Sequence, residues 1–503
     1  MKLYPHQKSF VADVQSSFIQ HDRVLGVSPT GSGKTIMASE LVKRFRGKTL
    51  FLADAKELVY QGADKIGRYL GEEVGVEMSQ SSVDPADNHR VIVATSQSIG
   101  QPSRLEKYPP DRFDYIIVDE AHRNTLGVYP SRIFGHFHDA KVLGVTATPF
   151  RTDKRSLAHV YETIAHEIKL IDLIRDGYLS RITVKTVPVN ISLRDVRVTA
   201  GDYNDRDIGD ALEPHLLKLA EVLKENAEDR KTVVFLPLIE TSRQFVRCLN
   251  SLGLSAVHVD GVDREDLEKF KSGEARIICN AQLLSTGWDQ PDVDCVYILR
   301  PTKSSTLYAQ MVGRGTRICD GKKDLLLLDP MFLAEKHSLI RPARLLAKDD
   351  EEADEIQEKL DSEEQLDLIE TSELVKDLRL ERIKENLKAN ARRKSKTAHF
   401  LEFALTCDED DLAEYSPTML WESQPMSMKQ RESLDRMGFD TESIQCKGLA
   451  CRIMDLVISR IEQNLASPKQ MKWLQRFNTP DAHLKTFEEA SAILDSRFGG
   501  RAK

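Results

Sequence analysis

The chain is 503 residues long, 41% apolar and 30% charged, with a formal net charge of −8. That length allows about three domains with sizeable cores, and no apolar run reaches transmembrane length. The opening, Met1 to His6, lacks the core of a signal peptide. Seven cysteines are scattered without a Cys-x-x-Cys pair, which speaks against a disulfide framework or a structural zinc site and fits a reducing cytoplasm. Roughly −7 of the charge lies in 341–503 and about −1 in 1–340, so the long N-terminal part can still carry a local basic groove.

From residue 1 to about 175, short apolar runs at 24–27, 49–53, 91–94, 115–118 and 142–146 alternate with helical patterns such as 36–46 and 55–70, the pattern of a parallel α/β sheet. The first run leads into Ser28-Pro29-Thr30-Gly31-Ser32-Gly33-Lys34-Thr35, and a helical pattern starts at Ile36. Strand, glycine-rich loop and helix form the context of a phosphate-binding loop. Gly31 and Gly33, with Ser32 between them, let backbone N–H groups point at phosphate, and the helix N-terminus adds positive potential. Lys34 would reach the β- and γ-phosphates of ATP, and Thr35 would bind Mg²⁺. The position that usually opens this loop with Gly is Ser28 here. The run 115–118 leads into Asp119-Glu120-Ala121-His122. At the C-terminal end of a parallel strand, Asp119 would hold Mg²⁺ and Glu120 would orient or deprotonate the attacking water.

Residues 176–211, with Gly177, Pro188, Gly201 and Gly209, read as an irregular connector. A second alternating block from about 212 to 335 has strands expected at 232–236, 255–259, 276–279, 295–299 and 325–328. Near its end, Gln310, Gly313, Arg314 and Arg317 form one string. Two arginines three apart on a helical face can both meet a phosphate, and placed on a separate lobe they would reach it only when the lobes close. The acidic stretch 349–370, a helical pattern with apolar positions 374, 378, 380, 383 and 387, and the basic run 392–396 read as a solvated helical arm. Residues 427–436 and 467–476 repeat one pattern, each followed by a second helical pattern (448–458 and 487–494). Two helical hairpins are expected, contacting nucleic acid through Lys429, Lys469 and Lys472 or docking a protein.

The strings in 1–335 resemble, in order and wording, those of DEAH-type superfamily 2 helicases with two RecA-like lobes. Tyr4-Pro5-His6-Gln7 resembles the Q motif, which implies that Gln7 reads adenine. Residues 51–61 and 94–98 resemble motifs Ia and Ib, which implies a nucleic-acid track near Thr95 and Gln97. Residues 146–149 resemble motif III, which implies that Thr146 and Thr148, with His122, couple the nucleotide site to that track. Residues 284–289 resemble motif V, which implies Thr286 on the track and Asp289 at the nucleotide. Residues 310–317 resemble motif VI, which implies that Gln310, Arg314 and Arg317 act on the γ-phosphate. The wording of 201–204, 299–302 and 307–315 is similar to RadD-like bacterial and phage helicases. Past residue 340 the similarity ends, because RadD carries cysteine-rich, zinc-ribbon-like segments and this chain has none.

The fold expected is therefore α/β: two tandem RecA-like P-loop lobes, parallel sheets with flanking helices, followed by a mostly helical C-terminal region. The divisions are 1–175, connector 176–211, 212–340, charged arm 341–398, and a helical accessory domain 399–503. The resemblance implies an ATP- and Mg²⁺-dependent helicase or translocase on nucleic acid, DNA favoured over RNA. A protein partner is expected at the C-terminal region, with no membrane and no structural zinc. The alternatives are a duplex translocase or RNA remodeller without strand separation, a nucleotide-switch scaffold, and a small-molecule kinase.

Overall fold

The computed structural model describes residues 3–499 except 54–55, 79–80, 126, 148–156, 158–159, 200, 261–264, 282–287, 289, 334–338, 348, 364, 391–399, 408, 410–411, 413–414, 416, 418, 420 and 478. It divides into two compact units, Met1–Val375 and Lys376–Lys503.

Among the described residues, the first unit holds two seven-stranded sheets and a two-stranded ribbon. Its first lobe uses β1 (Arg23–Val27), β2 (Thr49–Ala53), β3 (Gly75–Glu77), β4 (Val91–Thr95), β5 (Tyr115–Asp119), β6 (Lys141–Thr146) and β7 (Thr163–Glu167). They lie in the order β3-β4-β2-β5-β6-β1-β7, and every pair is parallel. Continuous apolar runs such as Leu50-Phe51-Leu52 and Ile116-Ile117-Val118 are buried on both faces, as helices covering a parallel sheet require.

The second sheet uses β8 (Ile182–Ser192), then, after a small ribbon of β9 (Val198–Thr199) and β10 (Asp202–Tyr203), β11 (Thr232–Phe235), β12 (Ala256–Val259), β13 (Ile277–Asn280), β14 (Cys295–Ile298), β15 (Leu325–Leu333) and β16 (Gln365–Asp367). Its order is β12-β13-β11-β14-β15-β8-β16. All its pairs are parallel except β16, which runs antiparallel to β8.

Two expectations need correction. The segment 176–211 is not an irregular connector: β8 runs through it and pairs with β15 from Ile182↔Leu325 to Ser192↔Leu333. Ile182, Val184, Val187, Val189 and Ile191 are buried, so its apolar alternation outweighs the Pro188 signal. Nor is 341–375 a solvated arm. The helix Asp350–Ser362 buries Ile356 and Leu360, with Glu352 and Gln357 buried beside them, and Leu368, Ile369 and Val375 join the same apolar cluster. Arg341 bridges Asp329 on β15 and Asp361 at 2.5 and 2.7 Å. The helix Leu368–Asn390 forms where a helix was expected, but Leu374 and Leu378 are exposed. The run 392–396 lies outside the described residues.

In the second unit the expected repeat folds twice in the same way. Ser427 and Ser467 each cap a helix (Met428–Met437 and Pro468–Arg476) through a reciprocal box with Gln430 and Gln470. Each is followed by a single 3₁₀ turn and a longer helix, Lys447–Glu462 or Phe487–Gly499, around a core that includes Phe403, Phe439, Ile453 and Leu474.

Candidate active site

The glycine-rich loop bends out of β1 and heads the helix Lys34–Phe45. Gly33 caps that helix at φ 91° and Gly31 lies at φ 92°, left-handed conformations that side-chain-bearing residues adopt only at a cost. Ser28 is fully buried, and its hydroxyl lies 2.5 Å from that of Ser32, which also donates to the Pro29 carbonyl at 2.8 Å. The serine that replaces the usual glycine thus staples the loop internally. Gln7 is buried behind it. Its Oε1 accepts from Tyr4 N at 3.1 Å, and its Nε2 donates to the Ser32 carbonyl at 3.0 Å.

Asp119 ends β5, and its Oδ1 accepts from Glu120 N at 3.0 Å. Glu120 sits at φ 46°, ψ 55°, a strained backbone that aims its carboxylate at the loop. Lys34 Nζ lies 3.4 Å from Glu120 Oε1, and both side chains are 13% exposed. Burial pushes the Glu120 carboxyl up, but Lys34 and His122 outweigh it and hold the group below its ordinary value. His122 Nδ1 lies 3.1 Å from the Thr146 hydroxyl at the end of β6 and 3.5 Å from Glu120 Oε2. A chain of polar contacts thus runs from Lys34 through Glu120 and His122 to Thr146.

The second lobe brings its arginine string to the same place. The helix Ser305–Val312 ends at Gly313, so Arg314 and Arg317 do not share a helical face as expected. After Gly313 the turns tighten, with Arg314 N bonding Met311 O and Gly315 N bonding Val312 O, and a Cβ on Gly315 would strike Leu325 at 2.3 Å. The arginines sit instead on a loop pressed against the first lobe. A Cβ on Gly313 would lie 2.5 Å from Thr30 Cβ, and one on Gly31 would lie 3.8 Å from Arg317 Cγ. Ser180 N donates to Thr316 O at 2.6 Å, and Ser180 Oγ to Arg317 O at 3.0 Å. Arg314 is mostly buried and donates to Trp288 O at 2.6 Å. Gln310 is 1% exposed, and neither end of its amide has a hydrogen-bond partner; Glu120 Oε2 is also unsatisfied. Buried polar atoms without a hydrogen bond cost ~1–3 kcal/mol each, so the Gln310 amide, one helical turn before Gly313, is a group a polar ligand could satisfy. The Thr35 hydroxyl and the Asp119 carboxylate are hard oxygen donors of the kind Mg²⁺ takes.

Of the expected track residues, Gln97 is exposed. Thr95 is buried, and its hydroxyl caps the short helix Ser96–Ile99 by accepting from Ser98 N at 3.2 Å. Thr148, Thr286 and Asp289 lie outside the described residues. Sequence reasoning missed the ring cluster beside the loop, where Tyr178 stands 5.0 Å from Tyr4 and 4.6 Å from His6; no spacing in the chain links these residues. It also missed why two of the quoted strings occur together. Asp202 accepts from Thr302 Oγ1 at 2.6 Å and Lys303 N at 2.7 Å, while Asp205 takes Arg300 in a two-pronged pair at 2.9 and 3.1 Å. Among the described residues, no group of three or more His, Cys, Asp or Glu could hold a metal ion, and no helix is long and apolar enough to cross a membrane.

Residues 1–151 match the family model of the type III restriction enzyme res subunit, and residues 214–319 match that of the helicase conserved C-terminal domain. The putative ATP-dependent helicase IRC3 of Saccharomyces cerevisiae is 29% identical over 363 residues, which are 65% of this chain and 51% of that one. The chain therefore spans about half the length of that relative. The DNA 3'-5' translocase XPB2 of Sulfurisphaera tokodaii is 23% identical over 367 residues, covering 64% and 80% of the two chains. Among solved structures, the fragment of a putative HsdR subunit of a type I restriction enzyme from Vibrio vulnificus YJ016 is 26% identical with a TM-score of 0.51, covering 65% and 63%.

Proposed function

Because this chain carries the paired domains of the superfamily 2 helicases, we propose that it is a DEAH-type, RadD-like motor that hydrolyses ATP between its lobes to move along nucleic acid. The observation that carries this reading is the meeting of Thr30 and Gly31 with Gly313 and Arg317 across the two lobes. Gly31, Ser32, Gly33 and Lys34 cradle the phosphates, and Gln7 fixes the loop's shape from behind. Asp289 completes the nucleotide site. Thr35 and Asp119 hold Mg²⁺, which neutralises phosphate charge when bound. Glu120 takes the proton of the attacking water, and Gln310 orients that water with its free amide. Arg314 and Arg317 stabilise charge on the γ-phosphoryl group as it passes from ADP to the attacking water, a role worth ~10³–10⁵ in turnover in related chemistry. His122 reports the state of Glu120 to Thr146 and, beyond it, Thr148.

Nucleic acid would run past Gln97, the Thr95-capped turn and Thr286. Contacts dominated by phosphates would make binding insensitive to sequence and sensitive to salt. DNA is favoured over RNA on the strength of the XPB2 relative. The C-terminal repeat would supply a protein partner's site or extra nucleic-acid contacts. The test is the ATPase rate with Mg²⁺ alone and with single-stranded DNA, duplex DNA, forked DNA or RNA, using Lys34→Ala and Arg314→Ala as controls. Stimulation by DNA that both variants lose supports the motor. A rate indifferent to every polymer refutes it.

A further inference from the structure

Lys322 follows the arginine loop and folds back beneath it. Its Nζ donates to Arg317 O at 2.7 Å and also to Gly315 O. The carbonyl between these two, that of Thr316, accepts from Ser180 N at 2.6 Å. Three successive carbonyls of the loop are therefore tied: that of Gly315 by Lys322, that of Thr316 by Ser180 N, and that of Arg317 by Lys322 together with the Ser180 hydroxyl. An ammonium group has three donors on a compact charge, and hydrogen bonds from a charged donor are about twice as strong as neutral ones.

We infer that Lys322 is a positioning residue for hydrolysis: by fixing the backbone of 315–317 it holds Arg314 and Arg317 at the nucleotide cleft. The inference rests on the arginine reading above. Past Gly313 the chain leaves the regular helix for tight turns, and the lysine's two bonds reach the carbonyls on either side of Thr316, the stretch that carries Arg317. Burial lowers the Lys322 pKa to about 8; Asp294 and Cys319 pull it back up, Arg317 lowers it, and Asp292 raises it. The lysine thus loses its charge within a pH range the enzyme can be assayed in, while an arginine in its place would not.

The experiment measures steady-state ATP hydrolysis in the full chain with single-stranded DNA, from pH 6.5 to about 9.5, together with affinity for a fluorescent ATP analogue. For Lys322→Met, kcat should fall by about 10–100-fold, the cost of a roughly 1 Å misplacement, with analogue affinity within about twofold. Lys322→Arg should restore most of the rate and remove the wild-type fall in kcat above about pH 8. A wild-type kcat in Lys322→Met overturns the inference, and so does a loss of nucleotide affinity equal to the loss of kcat. Should Lys322→Met not fold, the alkaline limb of wild type against Lys322→Arg decides: identical limbs overturn the inference. Arg317→Ala separates the two readings. If it abolishes hydrolysis while Lys322→Met does not, only the role of Lys322 falls. If it leaves hydrolysis intact, the arginine reading itself falls.

Discussion

Substituting Gly313 by alanine tests whether the lobe contact is the hydrolytic one. Gly313 has φ −59° and ψ −14°, a conformation alanine adopts freely, so the substitution carries no backbone penalty. Its effect comes from contact alone. The new Cβ would lie 2.5 Å from Thr30 Cβ, 2.8 Å from Thr30 Cγ2 and 2.9 Å from the Ala309 carbonyl. Carbon atoms settle at about 3.5–4.0 Å, so the loop and Thr30 must part by about 1–1.5 Å. That retracts Arg314 and Arg317 from the cleft while leaving Lys34 and its loop on the first lobe. A misplacement of this size costs about 10²-fold in rate, equal to about 2.7 kcal/mol of barrier. The assay is DNA-saturated ATP turnover beside ATP-analogue affinity: kcat should fall about a hundredfold and affinity should change little. Thr30→Gly, which removes both offending atoms of that residue, should recover part of the loss when combined with Gly313→Ala, a non-additivity that a double-mutant cycle reads directly. A folded Gly313→Ala protein with normal kcat would refute the view that this contact forms during hydrolysis.

Four other outcomes follow from the same geometry. Glu120→Gln should lower kcat by about 10²–10⁴ while ATP still binds; retained turnover would remove Glu120 as the base. Because Lys34 and His122 hold the Glu120 carboxyl below its ordinary value of 4.5, the stability it contributes is full above that value and is lost as pH falls through the depressed one. Acid unfolding of Glu120→Gln should therefore show a shallower dependence below pH 4.5 than wild type, and equal curves would contradict this. His122→Ala should keep basal ATP hydrolysis and lose its stimulation by DNA, since it breaks the link to Thr146; equal loss of both rates would make His122 part of the chemistry instead. Arg341→Met strands Asp329, which is 5% exposed, and should destabilise the first unit by about 3–5 kcal/mol, read as a lower thermal midpoint. An unmoved midpoint would show that the arm's ion pairs do not hold it to the lobe.

The parts legible in the sequence were those written in local pattern. The central strands of both sheets are apolar runs, and β1, β2, β5 and β6 fall within a residue or so of their expected bounds, whereas the more polar edge strands β3, β7 and β16 carried no such signal. The glycine-rich loop and the Asp119–His122 string fall at strand ends because the chemistry needs them there. The C-terminal repeat was readable through its Ser…Gln caps. The errors arose where tertiary context overrides local signal. Pro188 and nearby glycines suggested a loop, but β8 gains a full partner in β15. The density of carboxylates around 350 suggested a solvated arm, yet a helix needs only a stripe such as Ile356 and Leu360 to be bound into a core. The helical placement of Arg314 and Arg317 failed because three-residue spacing suits a helix and a tight turn alike, and the helix Ser305–Val312 ends at Gly313.

The meeting of the 201–205 and 300–303 strings gives the second lobe a different kind of constraint from the first. In the first lobe the functional residues stand at strand ends, so the sheet itself places them. In the second, Gln310 and the arginine loop come after β14 through the segment 299–304, which leaves the sheet after Leu299 N bonds Phe235 O. That segment is held by Asp202 at Thr302 and Lys303, and by Asp205 at Arg300. The ribbon formed by β9 and β10 thus sets where the helix Ser305–Val312 starts, Ser304 caps it through Leu307 N, and its length then sets where Gly313 meets Thr30. A change at Asp202 or Asp205, far along the chain from the nucleotide loop, acts on the cleft through that helix. Asp205→Asn should accordingly lower kcat more than it lowers ATP affinity; if it lowers only the thermal midpoint, the ribbon supports the lobe without setting the register of its arginines.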